Sequence, residues 1–154
     1  MSTTPEQRIA ELGLRLPEVA KPLAAYVPAV RSGSHVYVSG QLPSVDGQLL
    51  ATGKVGIEID PDQARALAAR CALNALAALR SEVGELSQVR RIVKVVGFVA
   101  CGPGFTGHPG VVNGASELIG EIFGDAGIHA RSAVGVASLP LDAPVELELI
   151  AEVE

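Results

Sequence analysis

Residues 60–100 set the outline of the fold. Asp60 is a good N-cap, Pro61 suits the first helical position, and Gln63 stands where a capping box wants it. An alanine-rich run then reaches Val83 and stops at Gly84, which predicts one long helix. Val89 to Ala100 follows, its V-K-V-V-G-F-V centre nearly continuous in apolar residues, as befits a central strand. A helix and a strand in such close succession bury their apolar faces against each other, so a layer of helices on a sheet is expected.

The other signals extend that layer. Arg31 to Ser34 reads as a turn and His35 to Ser39 as a strand, with Asp46-Gly47 as a hairpin turn and Gln48 to Ala51 returning. After a loop from Cys101 to Gly110, a second helix is expected around Val111 to Phe123, closed by Gly124, then strands near 130–138 and 145–153. Near the N-terminus, Ile9, Leu12 and Leu16 mark the apolar side of a short amphipathic helix. The order predicts an α+β fold in which helices cover one mixed sheet.

With 154 residues and 48% hydrophobic side chains, the chain can bury one core and is too short for two ordinary domains. Residues 1–154 are therefore expected to form one domain, with residues 1–20 as a helical extension. Aromatics make up only 3%, so the core is built from small aliphatics, and part of their excess is expected to be covered between subunits. A net charge of -5 argues against a nucleic-acid partner, because phosphate neutralisation needs clustered Lys and Arg. Arg90, Arg91 and Lys94 form the one compact basic group and read as a solvated strand end. Cys71 and Cys101 belong to no CxxC and read as reduced thiols of a cytoplasmic protein. The acidic N-terminus has no apolar signal region, and no run is long enough to span a bilayer, so no membrane association is expected.

Within H-A-R-S-A-V-G-V-A-S, strand alternation puts Arg131, Ala133, Gly135 and Ala137 on one face and Ser132, Val134, Val136 and Ser138 on the other. A long guanidinium followed by small side chains on its own face leaves room for a ligand or another subunit. The competing reading is a surface arginine at a strand end. Other candidates carry less. Gly102 to Gly107 spell G-x-G-x-x-G, but Pro103 removes one donor and His108-Pro109 delays the helix that a phosphate loop requires. The three histidines lack zinc-site spacing, and Ser39 and Ser132 have no evident base, so neither a metal nor a cofactor is expected. His129, which alternation puts on the Arg131 face, reads as a structural residue with a secondary effect on the site. Glu146 and Glu148 share a strand face opposite Val145, Leu147 and Leu149, and Glu148 reads as simply solvated. If residues 131–138 and 145–153 paired as a hairpin, Glu146 would face Ala137, on the order of 20 Å from Arg131. The two can act together only if those strands do not pair directly, or across a subunit boundary.

The run Ala130, Arg131, Ser132, Val134, Val136, Leu139, Pro140, then Val145, Glu146 and Glu148, resembles the late A-R-S-x-V-x-V-x-x-L-P and V-E-x-E signature of the RidA (YjgF) family of reactive-intermediate deaminases. Tyr26, and Val36 to Pro43 (V-Y-V-S-G-Q-L-P), are similar to its early Y-x-x-A-V and V-Y-x-S-G-Q-x-P segments. The resemblance runs from about Tyr26 to Val153. It implies a chorismate-mutase-like fold, usually a trimer with ligand clefts between subunits, and hydrolytic deamination of small 2-imino or enamino acids. On that pattern Arg131 would grip the substrate carboxylate, while the Ala133 carbonyl and Glu146 would hold the attacking water. Tyr26, Ser39, Gly40 and Ser132 would shape the pocket. Ala133 stands where the family's deaminases often have Cys, His129 where they often have Pro, and no asparagine is carried over from the divergent loop after Cys101. A non-catalytic trimer that binds small carboxylates is the alternative the same residues allow.

Overall fold

The computed structural model describes residues 3–22 and 24–154. Its elements are α1 (Pro5–Glu11), β1 (Ala29–Ser32), β2 (His35–Gln41), β3 (Ser44–Val45), β4 (Gln48–Leu49), α2 (Pro61–Val83), β5 (Val89–Ala100), α3 (His108–Phe123), β6 (Ala130–Val136) and β7 (Val145–Val153). One five-stranded sheet runs β1-β2-β7-β5-β6, antiparallel throughout except for the parallel pair β5–β6, which α3 connects. This is the expected α+β arrangement with a mixed sheet.

The helix starts follow from local chemistry. The Asp60 carboxylate accepts from the Gln63 N–H at 2.8 Å, but a reciprocal capping box forms at α1, between Thr4 and Gln7. Arg31 and Ser32 belong to β1, not to a turn; the turn is Gly33-Ser34, and Gly33 supplies its positive φ of 62°. β3 and β4 pair only with each other around Asp46-Gly47, so the segment after Gly47 does not return along β2. α3 begins at His108, three residues ahead of the expected Val111, because Pro109 falls in its first turn, where a missing N–H costs nothing. Leu12, expected on the apolar side of α1, is the exposed C-cap, whereas Ile9 is buried.

The described residues cover one sheet face. Val36, Val38, Val95, Val99, Leu147, Leu149 and Ala151 point under α2 and α3. The opposite face presents Val30, Tyr37 and Val134, each roughly half exposed, beside Val96, Phe98, Glu148 and Ile150. Two glycines let the layers close. A Cβ on Gly97 of β5 would lie 2.5 Å from Val112 Cγ2, and one on Gly114 of α3 would strike the Arg65 carbonyl oxygen of α2.

Candidate functional site

Arg131 sits in edge strand β6, in register with Val95 and, one strand further, Leu149. Both are buried beneath the helices, so the arginine side chain also projects to the helix-covered side. There α3 receives it. Arg131 Nη1 donates to Asn113 Oδ1 at 2.8 Å and to Ser116 Oγ at 3.1 Å, and Nη2 donates to the Pro109 carbonyl at 3.4 Å. A guanidinium has five N–H donors. Three are thus engaged; Nε–H and one Nη2 hydrogen meet no acceptor among the described residues. Nε and Nη2 lie on the edge of a guanidinium that pairs with the two oxygens of a carboxylate.

The network continues past Ser116. Its Oγ lies 2.9 Å from His129 Nε2, and His129 Nδ1 lies 2.6 Å from the Gly127 carbonyl. A carbonyl only accepts, so Nδ1 carries the proton; in the neutral ring Nε2 then accepts from Ser116, whose oxygen is left to accept from Arg131. His129 therefore acts on the arginine through Ser116. Asn113 and Ser116 are the residues that sequence reasoning missed. Their i, i+3 spacing on one face of α3 was the available signal.

The room expected in front of Arg131 is largely taken. Ala133 packs against the core, and the space above Gly135 is filled by the Cys101 thiol and the His108 ring. The backbone offers more. The Val136 carbonyl accepts from the Cys101 N–H, hence points toward β5. Carbonyl directions alternate along a strand, so the Ala133 carbonyl points out from the open sheet edge, two residues from Arg131.

A second group of candidates gathers at β2 and β7. A β-bulge falls between Val38 and Gln41, and a Cβ on Gly40 would lie 2.5 Å from Glu146 Oε1, so a side chain there would displace that carboxylate. The Ser39 hydroxyl donates to the Val27 carbonyl at 2.6 Å, which ties the segment carrying exposed Tyr26 to β2. Burial first, and the Glu148 carboxylate second, push the Glu146 carboxyl above the usual carboxylate range. Glu146 is in register with Phe98 and alternates with buried Val145 and Leu147, so it projects to the uncovered face, as does Ser132 opposite Val96.

β6 and β7 do not pair, since β5 lies between them. Arg131 and Glu146 are thus two strand spacings and three residues apart, about 14 Å along the sheet, and on opposite faces of it. Within one protomer the two side chains do not meet. Among the described residues, no group of three or more His, Cys, Asp or Glu could hold a metal, and no helix is long and apolar enough to cross a membrane.

Comparisons with known proteins agree with this architecture. The chain is 41% identical to protein TCP17 of Trypanosoma cruzi over 157 residues, covering 99% of this chain and 98% of that protein. It is 31% identical to a 2-iminobutanoate/2-iminopropanoate deaminase of Dermatophagoides farinae, covering 90% and 93%. Among solved structures, Atu1372 of Agrobacterium tumefaciens, a protein of unknown function, superposes with a TM-score of 0.92 at 46% identity, covering 97% of this chain and 92% of that one. E. coli TdcF with bound serine superposes at 0.60 and 28% identity, covering 89% and 94%. Residues 6–153 match the family described as "YjgF/chorismate_mutase-like, putative endoribonuclease", and the chain belongs to that family.

Proposed function

We propose that the chain is a hydrolytic deaminase of small 2-imino and enamino acids, giving a 2-oxo acid and ammonia. The observation that carries this reading is the Arg131 guanidinium, pinned by α3 through three donors while Nε–H and one Nη2 hydrogen are left without an acceptor. The similarity to a 2-iminobutanoate/2-iminopropanoate deaminase and to a serine-bound relative supports a substrate bearing a carboxylate. In this reading Arg131 grips the carboxylate, and the outward Ala133 carbonyl accepts one hydrogen of a water. Glu146 of a neighbouring copy takes the second as the water oxygen bonds to the imine carbon and the C=N π pair moves to nitrogen. That proton and the one left on the new hydroxyl then pass to nitrogen, the carbonyl forms, and the C–N bond breaks with its pair leaving on ammonia. Tyr26, Ser39, Gly40 and Ser132 line the cleft. An imine carbon is already electrophilic, so positioning supplies most of the catalysis.

Assembly belongs to the same proposal. The opposite-facing half-sites need a second copy to meet, and the apolar uncovered sheet face needs a cover, which supports a homotrimer with sites between subunits. The chain's acidity, and the pairing of Arg90 with Glu154 at 3.1 Å within its one basic group, disfavour an RNA substrate.

Turnover of enzymatically generated 2-aminoacrylate tests the reading. Faster release of pyruvate and ammonia is expected in the presence of the protein. Release at the uncatalysed rate, with pyruvate still binding, would reduce the chain to a carboxylate-binding module.

A further inference from the structure

The two cysteines occupy opposite environments. Cys71 is fully buried in α2, and burial, its largest influence, pushes its thiol well above the ordinary range. Cys101 follows β5 directly and is half-buried, its Sγ 3.4 Å from His108 Nε2. His108 is the first residue of α3, and the N-cap Gly107 has no side chain to cover the N–H groups of that first turn. Two features hold the ring on the sulfur. Phe105 meets it edge to face, at 5.6 Å between centroids and 86° between planes. Gly135 on β6 lacks the Cβ that would collide with Nε2 and lie 3.0 Å from Sγ. The Arg131 contacts and the Glu146 half-site use none of these groups.

We propose that Cys101 and His108 form a nucleophilic thiol site that takes small, uncharged α,β-unsaturated carbonyl compounds. A thiol beside an imidazole is the general nucleophile-and-base pair. The surroundings set the ligand class. Phe105 packs on His108, Val55 bridges Cys101 and Ile57 stands against Gly102, so the side chains around the pair are apolar. A soft, compact electrophile fits such walls; a charged disulfide does not. The chemistry closes on itself. The Sγ–H proton passes to His108 Nε2, sulfur bonds to the β-carbon, the C=C π pair moves to the α-carbon, and that carbon takes the proton back from the imidazolium. The net change is addition of S–H across the double bond.

Acrylamide is a suitable probe, with adducts located by peptide mass spectrometry on the native protein at pH 7. Cys101 is expected to react about a hundredfold faster than the thiol of free glutathione, the lower end of what a positioned base contributes. Cys71 should stay unmodified until the chain unfolds. H108Q removes the base, and G135A drives the ring off the sulfur; either should bring Cys101 down to the glutathione rate or below. A wild-type Cys101 no faster than glutathione overturns the proposal with no variant needed. An undiminished rate in a folded H108Q or G135A protein overturns it as well, and leaves the contact as packing.

Discussion

Arg131 and Glu146 project from opposite faces of one sheet, the arginine in register with buried Val95 toward α3, the glutamate in register with Phe98 toward the uncovered side. Any chemistry that uses both takes one from each of two copies. Light scattering coupled to size exclusion should give three times the protomer mass at micromolar concentration. A protomer mass there would separate the half-sites for good and remove the deaminase reading.

Loss of the Arg131 fork should weaken recognition of small carboxylates. Arg131→Ala is expected to cost on the order of 2 to 5 kcal/mol in binding, about thirty-fold or more in affinity. Arg131→Lys keeps the charge without the two-pronged geometry and should restore only part of it. Calorimetric titration of pyruvate or 2-oxobutyrate into the three proteins checks this, with circular dichroism as the control for folding.

Ser116→Ala should act on the same site more gently. It takes one acceptor from Arg131 Nη1 and leaves His129 Nε2 without its donor, while Asn113 still holds the guanidinium. A loss of about 0.5–1.5 kcal/mol in carboxylate binding is expected. His129→Phe, which removes only the far end of the chain of hydrogen bonds, should weaken binding less than Ser116→Ala. The same titrations rank the two, and the reverse order would contradict the relay through Ser116.

Glu146 should separate turnover from stability. Glu146→Gln is expected to keep carboxylate binding and lose hydrolysis, whereas Glu148→Gln changes turnover little. Burial raises the folded-state affinity of the Glu146 carboxyl for its proton, so its ionised form disfavours folding above the raised range and has no such effect once pH falls below the ordinary carboxylate range. Glu146→Gln should therefore raise stability at pH 7, by less than about 1 kcal/mol given partial solvent screening, with the gain vanishing at acid pH. Thermal melts at both pH values check the sign.

The glycines of α3 make a paired test of packing. Gly114→Ala would press a methyl into the Arg65 carbonyl and should cost about 2 kcal/mol, or about 5 °C in melting temperature. Gly120→Ala meets open space inside the same helix and should add about 0.5–1 kcal/mol. Calorimetric melts of the two variants should move in opposite directions.

The sequence spoke clearly where the determinants are local. Asp60, Pro61 and Gly84 mark α2 because caps act within one turn, and the nearly continuous apolar run of β5 reflects a strand paired on both sides. β1 was hidden because Arg31 and Ser32 look like turn residues until Val30 and Arg31 find Tyr37 and Val36 across Gly33-Ser34. Alternation grouped Arg131 with Ala133 correctly, yet it is blind to which face the helices cover, so the Arg131 and Glu146 half-sites could not be told to face apart. Asn113 and Ser116 gain meaning only from the way α3 crosses β6. No local rule states that.

The placement of Arg131's partners also bears on the order of folding. Its acceptors lie 15 to 22 residues back along the chain, all on the helix that links β5 to β6. The Gly40–Glu146 contact instead joins segments near the two ends. Short loops close at less entropic cost than long ones, so the arginine half-site can form as one strand–helix–strand unit while the glutamate half-site waits for distant strands to find their register. During synthesis the grip on Arg131 therefore becomes possible before β7 has been made, whereas the Glu146 side exists only in the finished chain.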